Sequence, residues 1–270
     1  MNTLTLGLVR ARYEVVTYFR QGDTLVFTFL FPIVMLGIFS VAFQGLGKVG
    51  AAPDGSGGVS QAAYYLPAMI AAGILLSGVQ NLAVDIAGER SNGTLKRLGG
   101  TPLPVVSYFI GKMGRVIVTS VLQIGLLLLV AWLVFGVALP GDPASWLRFA
   151  WIYTLGILTS AVLGIALASV PRTGGSATAV VIPIVLVLQF ISGVYLAFNL
   201  LPEWLQTIAS VFPLKWIAQG MRSVFLPAGF ESREPGGSWQ LGWMAIVLFG
   251  WLVVGLLACR LTFRWIRKDG

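Results

Sequence analysis

The sequence has no histidine and a single cysteine, Cys259, among its 270 residues. Without histidine, the commonest metal ligand and the usual proton carrier near neutral pH are both missing, so metal catalysis and histidine-based acid–base chemistry are not expected. One cysteine permits no intramolecular disulfide. Charge is scarce as well. Only 10% of residues are charged, against roughly 25% in soluble domains, while 57% are hydrophobic and the mean hydropathy is +0.86. A soluble fold of this length could not cover so much apolar surface, so the solvent for most of the chain is lipid. The net charge is +8, but the basic residues are spread between apolar runs. That suits topology and anionic headgroups rather than nucleic acid, and no nucleic-acid partner is expected.

Carboxylates are missing from the apolar runs. All ten acidic residues fall outside those runs or at their margins. A proton-coupled transporter needs ionisable groups at depth, so this argues against proton coupling. Coupling to sodium through backbone carbonyls would need broken helices, and only Pro32 and Pro183 offer proline breaks deep in a span.

What the sequence does contain is six apolar runs, at 25–43, 64–84, 116–139, 147–170, 180–201 and 241–261. Each is near the ~20 residues a helix needs to cross the hydrocarbon core. In lipid such runs must be helical, and their continuity excludes the alternating pattern of a barrel. The expected fold is therefore an all-α membrane protein with six transmembrane helices. Nine Trp suit the headgroup level on both sides of a bilayer.

Residues 1–22 read as an amphipathic helix preceding a permease domain at 23–270. Leu4, Leu8, Ala11, Val15 and Phe19 recur at steps of three and four, with Arg10, Glu14, Thr17 and Gln21 on other faces. The pattern predicts a helix in the cytoplasmic interface, with a helix packed on another subunit as the alternative. Arg10, Arg12, Glu14 and Arg20 interrupt any secretory signal. With both termini cytoplasmic, 13 Lys and Arg residues, among them Arg172, Arg264, Arg267 and Lys268, lie inside against five outside, so the positive-inside rule selects that orientation.

Three segments between the runs carry further signals. Residues 45–58, rich in Gly and containing Pro53 and Ser56, read as a flexible connector. Residues 202–227 contain two pieces, 203–211 and 214–225, that are apolar but too short to cross. Pro213 separates them. They form either a re-entrant pair of half-helices dipping in from outside or a hairpin lying flat on that face. In the loop at 85–104, Gly93 can end the helix leaving the membrane and Thr94 can cap a short new one. Leu95 and Leu98 would then form an apolar edge beside Lys96 and Arg97, suited to a groove on a cytoplasmic partner. Replacing Glu89 or Arg97 is expected to remove no buried contact. Gly88 to Thr94 imitates a phosphate-binding loop in glycine spacing, but Thr94-Leu95 stands where the lysine pair belongs, and Asn92-Gly93-Thr94 is a glycosylation sequon on the cytoplasmic side. Both are discounted.

The series Glu89-Arg90-x-x-Gly93-Thr94-Leu95-x-Arg97-Leu98-x-x-Thr101-Pro102 resembles the signature of ABC-2 type permeases, the group that includes daunorubicin-resistance-like multidrug permeases and related lipid and polysaccharide exporters. The resemblance extends to the basic amphipathic start, the six runs, Leu201-Pro202-x-Trp204 and Phe212-Pro213-Leu214. It implies a type V exporter fold in the bacterial inner membrane, in which two permeases pair and each rests on a separate ABC ATPase. ATP and Mg would be bound by that partner, with no cofactor or catalytic residue on this chain. It implies that Glu89, Arg90, Gly93, Thr94, Leu95, Lys96, Arg97, Leu98, Thr101 and Pro102 form the ATPase-coupling element, and that Pro202, Trp204 and Pro213 belong to the re-entrant segment. It also implies a path along spans two and five, where Met69, Gly73, Ser77 and Gln80 share one helical face and Gln189, Ser192, Gly193 and Leu196 another. Small and polar residues of this kind also serve simply to glue helices together. The expected function is outward movement of a hydrophobic or amphipathic substrate, a drug, lipid or glycolipid. An ion-coupled transporter, a membrane-bound enzyme and a non-transporting assembly subunit are the rival readings.

Overall fold

The computed structural model describes residues 2–52, 57–171 and 173–262. Pro53, Ser56, Arg172, Arg264, Arg267 and Lys268 lie outside the described residues. Among those described there is no strand; a single antiparallel bridge, Val49 to Val59, joins the two ends of the 45–58 connector.

Among the described residues, five helices are long and apolar enough to cross a membrane. The first is α2, Gly22–Ala42, and the second runs without interruption from Gln61 to Ser91 as α3 (Gln61–Leu75), a π-helical turn (Leu76–Asn81) and α4 (Leu82–Ser91). The others are α6 (Val105–Leu133), α7 (Pro143–Leu167) and α11 (Leu241–Thr262). Before α2 lies α1 (Thr3–Phe19), and α5 (Thr94–Gly99) sits between α4 and α6. The apolar α8 (Gly174–Ile191) is 18 residues long, or about 27 Å at 1.5 Å per residue. The short α9 (Glu203–Ala209) and α10 (Pro213–Phe225) precede α11.

Helix starts follow capping chemistry. The Asp142 carboxylate accepts the Ser145 N–H at 2.8 Å ahead of Pro143, which suits the first helical position. That hydrogen bond holds the Asp142 carboxyl below the usual carboxylate range. Thr173 and Ser176 form a reciprocal capping box on α8.

The second span is the core of the molecule. Almost every residue of α3 is buried, against α2, α6, α7 and α10, whereas α2 and α11 expose most of their apolar surface. Glycines set the closest approaches. A Cβ on Gly164 of α7 would collide with the Gly78 carbonyl oxygen in the π turn, and one on Gly78 would meet the Ser160 side chain at 2.6 Å. Helix α1 lies on α6 in the same manner, with Gly7 facing Ile110 and Gly114 facing Ala11.

Several boundaries differ from the hydropathy runs. The third run was expected at 116–139, but its helix begins at Val105, because the buried ion pairs described below let Lys112 and Arg115 sit inside it, and it ends before Gly136, whose φ is +62°. The fifth run, 180–201, is not one helix. It ends at Ile191, Gly193 turns the chain at φ +78°, and a 3-10 turn at Phe198–Leu200 follows. Neither Pro32 nor Pro183 breaks its helix.

Candidate functional site

The connection between α4 and α6 is built from one glycine and one amide. Gly93 adopts φ +76°, a left-handed conformation that favours glycine, and occupies the cap position itself. Thr94 is the first helical residue rather than the cap; its N–H is taken by the Asn92 side chain at 3.0 Å. The Arg97 guanidinium returns to the Asn92 carbonyl at 3.1 Å, and the Thr101 hydroxyl closes the end of α5 on the Leu98 carbonyl at 2.7 Å.

The orientation of α5 reverses the expected one. Leu95 is 1% exposed and Leu98 packs on the same core, so the apolar edge anchors the helix to the membrane domain instead of offering it to a partner. The outward face is polar, presenting Lys96, Arg97, Thr101 and Pro102.

Behind α5 lies a cluster of six charged groups that joins three helices. The Lys112 ammonium on α6, with a side chain 0% exposed, lies 3.0 Å from Glu14 of α1, 2.5 Å from Asp85 and 2.7 Å from Glu89 of α4. Arg115 reaches Asp85 at 2.9 Å, and Arg10 reaches Glu14 at 2.6 Å. The Tyr108 hydroxyl donates to the other Glu89 oxygen at 2.6 Å. Among the described residues, three cations and three carboxylates balance in the cluster, which is what allows it to be buried. The carboxylates of Glu14, Asp85 and Glu89 lie close enough together to hold a metal ion, but the Lys112 ammonium supplies the positive charge at their centre. Arg115 also stacks 5.6 Å over the Tyr18 ring, and burial pushes the Tyr18 hydroxyl above its usual value of 10.

One expectation is corrected by this cluster. Glu89 is not a loop residue without buried contacts; it holds α4 against α6. Arg90 likewise faces inward, donating to the Ala168 carbonyl at the end of α7 at 2.7 Å. The polar side of α1 also turns inward, with Arg10 and Glu14 in the cluster while Leu4 and Leu8 stay exposed.

Beside the cluster, a cavity of about 420 Å³ opens between the α1–α2 joint, the π turn and α8. Thr28, Gln80, Asn81, Asp85 and Thr178 face it, and Asn81 donates to the Thr28 hydroxyl at 3.0 Å. Of the eight residues expected along spans two and five, only Gln80 lines this space. Met69, Gly73 and Ser77 are buried within the chain, where the Ser77 hydroxyl donates to Gln123 at 2.9 Å and the Gln123 side chain covers Gly73. Gln189 accepts a hydrogen bond from the Tyr195 hydroxyl. Ser192 caps α8, and Gly193 and Leu196 lie past its end, so these four share no helical face.

On the opposite side of the fold, Pro202 precedes α9, Trp204 is exposed, and Pro213 opens α10. The turn between the two helices meets α11 near its middle. Trp251 donates to the Val211 carbonyl at 2.6 Å and stacks on Phe212. Farther along α10, Gln219 donates to the Trp239 carbonyl at 3.0 Å, and Arg222 pairs with Glu234.

The charged cluster was the part that sequence reasoning missed. Its signal is three acidic and three basic residues flanking the ends of apolar stretches, and the pairing of Glu14 with Lys112, 98 positions apart, leaves no local pattern. Residues 51–258 match the family described as ABC-2 family transporter protein. No curated protein matches the chain.

Proposed function

The chain belongs to the ABC-2 transporter family, and from that premise we propose that this multi-pass membrane protein is the permease of an ATP-driven exporter. A separate ABC ATPase hydrolyses ATP with Mg, and this chain converts the motion into outward movement of a hydrophobic or amphipathic substrate. The observation that carries this reading is the two-sided build of α5. Its buried side, Leu95 and Leu98, packs on the core beside α4, and Glu89 and Arg90 of α4 tie that helix to α6 and α7. Gly93 sets its angle, and its exposed side, with Thr94 at the rim and Lys96, Arg97, Thr101 and Pro102 in front, meets the partner. Force applied to α5 therefore reaches the second and third spans through the neutral ion cluster rather than through a loose loop.

In this reading both termini are cytoplasmic, α8 is a sixth span, and a second permease, identical or paralogous, completes the pair in the bacterial inner membrane. The α9–α10 segment enters the outer leaflet. Val211 contacts Trp251, ten residues into α11, about 15 Å along the helix and so near half of a ~30 Å hydrocarbon core. A hairpin lying flat on the surface would meet α11 at its end.

The test is co-reconstitution with the ABC ATPase partner in vesicles. The double variant Lys96→Glu, Arg97→Glu is expected to lose at least tenfold in both permease-stimulated hydrolysis and outward flux, with unchanged thermal stability. Wild-type coupling by this variant would remove α5 from the role.

A further inference from the structure

The start of α10 concentrates positive charge where none is matched. Its cap residue, Phe212, offers no side-chain acceptor. The unpaired N–H groups of a helical first turn amount to about half a positive charge, and an acidic side chain or another anion ordinarily answers it. Here the third helical residue is Lys215, 2% exposed. Its ammonium lies 3.4 Å from the Trp216 ring centroid and 5.5 Å from that of Phe198. Among the described residues, no carboxylate lies within 4 Å of it and no acceptor takes its protons. The nearby Glu234 is engaged by the buried Arg222 two turns along the same helix. Trp216 is fixed in place by donating to the Ser210 carbonyl at 2.8 Å.

Both features lack the same thing. The uncapped helix start and the buried lysine three residues into it both lack an anion; the Trp216 and Phe198 ring faces answer part of the ammonium's charge, and an anion would answer the rest. We propose that the first turn of α10 and Lys215 receive the anionic headgroup, phosphate or carboxylate, of the amphiphile that this permease moves. The backbone N–H groups and the ammonium bind the anion in the manner of helix-start anion sites, while Phe198, Phe212 and Trp216 provide an apolar wall for the adjoining chain. The proposal rests on the permease reading and names the charge class of its substrate.

The experiment measures binding by the purified chain in a neutral detergent, with lysophosphatidic acid as the anionic amphiphile, lysophosphatidylcholine as its zwitterionic counterpart and inorganic phosphate as the free ion. The readout is the Trp216 component of fluorescence, obtained by difference from Trp216→Phe. Lysophosphatidic acid is expected to bind the wild type at least tenfold more tightly than Lys215→Met, with Lys215→Arg within threefold of wild type and lysophosphatidylcholine indifferent to all three. Equal affinity of wild type and Lys215→Met for lysophosphatidic acid overturns the proposal. Lys215-dependent binding of inorganic phosphate as tight as that of the amphiphile overturns the amphiphile assignment. Should Lys215→Met fail to fold, native mass spectrometry of the wild type with an equal mixture of the two lysolipids decides. Preferential retention of the anionic one is expected, and equal retention overturns the proposal. Neither measurement needs ATP or the partner subunit, so their failure leaves the coupling role of α5 standing, and failure of the α5 variants leaves this site standing.

Discussion

Lys112 of α6 and Glu89 of α4 meet at 2.7 Å, with the lysine side chain wholly out of solvent. The contact places Glu89 among the groups that hold the membrane domain together, five residues before the start of α5. It separates two kinds of loop substitution that look alike on paper.

Lys112→Met and Glu89→Lys are expected to destabilise the protein by roughly 3–5 kcal/mol each, the usual loss when one partner of a buried ion pair is removed. Lys112→Met leaves three clustered carboxylates, and Glu89→Lys puts two ammonium groups face to face. Thermal unfolding in detergent measures both. Arg97→Glu, on the exposed face, is expected to stay within about 0.5 kcal/mol of wild type. Melting of Lys112→Met at the wild-type temperature would show that the cluster contributes nothing to the fold.

The contact between the π turn and α7 gives a second stability prediction. Gly164→Val places a side chain against the Gly78 carbonyl oxygen and is expected to destabilise by about 1–3 kcal/mol. Gly88→Ala is the control, since a Cβ there meets nothing within 4 Å and removing a helical glycine usually stabilises by about 0.4–1 kcal/mol. Equal melting temperatures for the two variants would contradict the close approach.

Orientation is checked by cysteine labelling after Cys259 is replaced; its thiol is buried and donates to the Val162 carbonyl at 3.2 Å, so Cys259→Ala keeps the packing closest. A cysteine at Ser238 is expected to react with an impermeant thiol reagent from outside, and one at Ser91 only from inside. Both positions are exposed. Outside reaction at Ser91 would invert the orientation and place α5 on the wrong side for an ATPase.

Depth is checked with spin labels. A label at Val211, 58% exposed, is expected to be far more accessible to oxygen than to a water-soluble nickel complex, and one at Ser232 the reverse. Equal nickel accessibility at both sites would lay the α9–α10 segment on the surface.

The apolar cores of α2 and α11 were legible in the sequence because nothing interrupts them, and their helices match the hydropathy runs within about three residues. The start of α6 was not. Lys112 and Arg115 end any hydropathy run, and Glu14, Asp85 and Glu89, brought in from other helices, make them compatible with a helix interior. The break within 85–104 was legible, since Gly93 does divide α4 from α5. Which side of α5 faces outward was not, because a six-residue helix with two leucines and two cations has no preferred face until Leu95 finds the core. The shared faces expected on spans two and five were not legible: at α8 the positive φ of Gly193 ends the face, and at α3 the Gln123 side chain of the same chain covers Gly73.

The π turn at Leu76–Asn81 bears on how related sequences are to be aligned with this one. A π turn is an α-helix with one residue inserted, and one residue corresponds to about 100° of rotation and 1.5 Å of rise. Helical wheels drawn above and below residues 76–81 are therefore out of phase, and a face traced from Met69 does not continue to Asp85. A relative with a one-residue gap in this turn would close it to a regular α-helix and keep the counterparts of Asp85 and Glu89 facing Lys112, whereas the same gap elsewhere in the span would turn them away. The place of a single gap therefore outweighs many substitutions, because outside residues 76–81 it exchanges the whole cytoplasmic contact set at once.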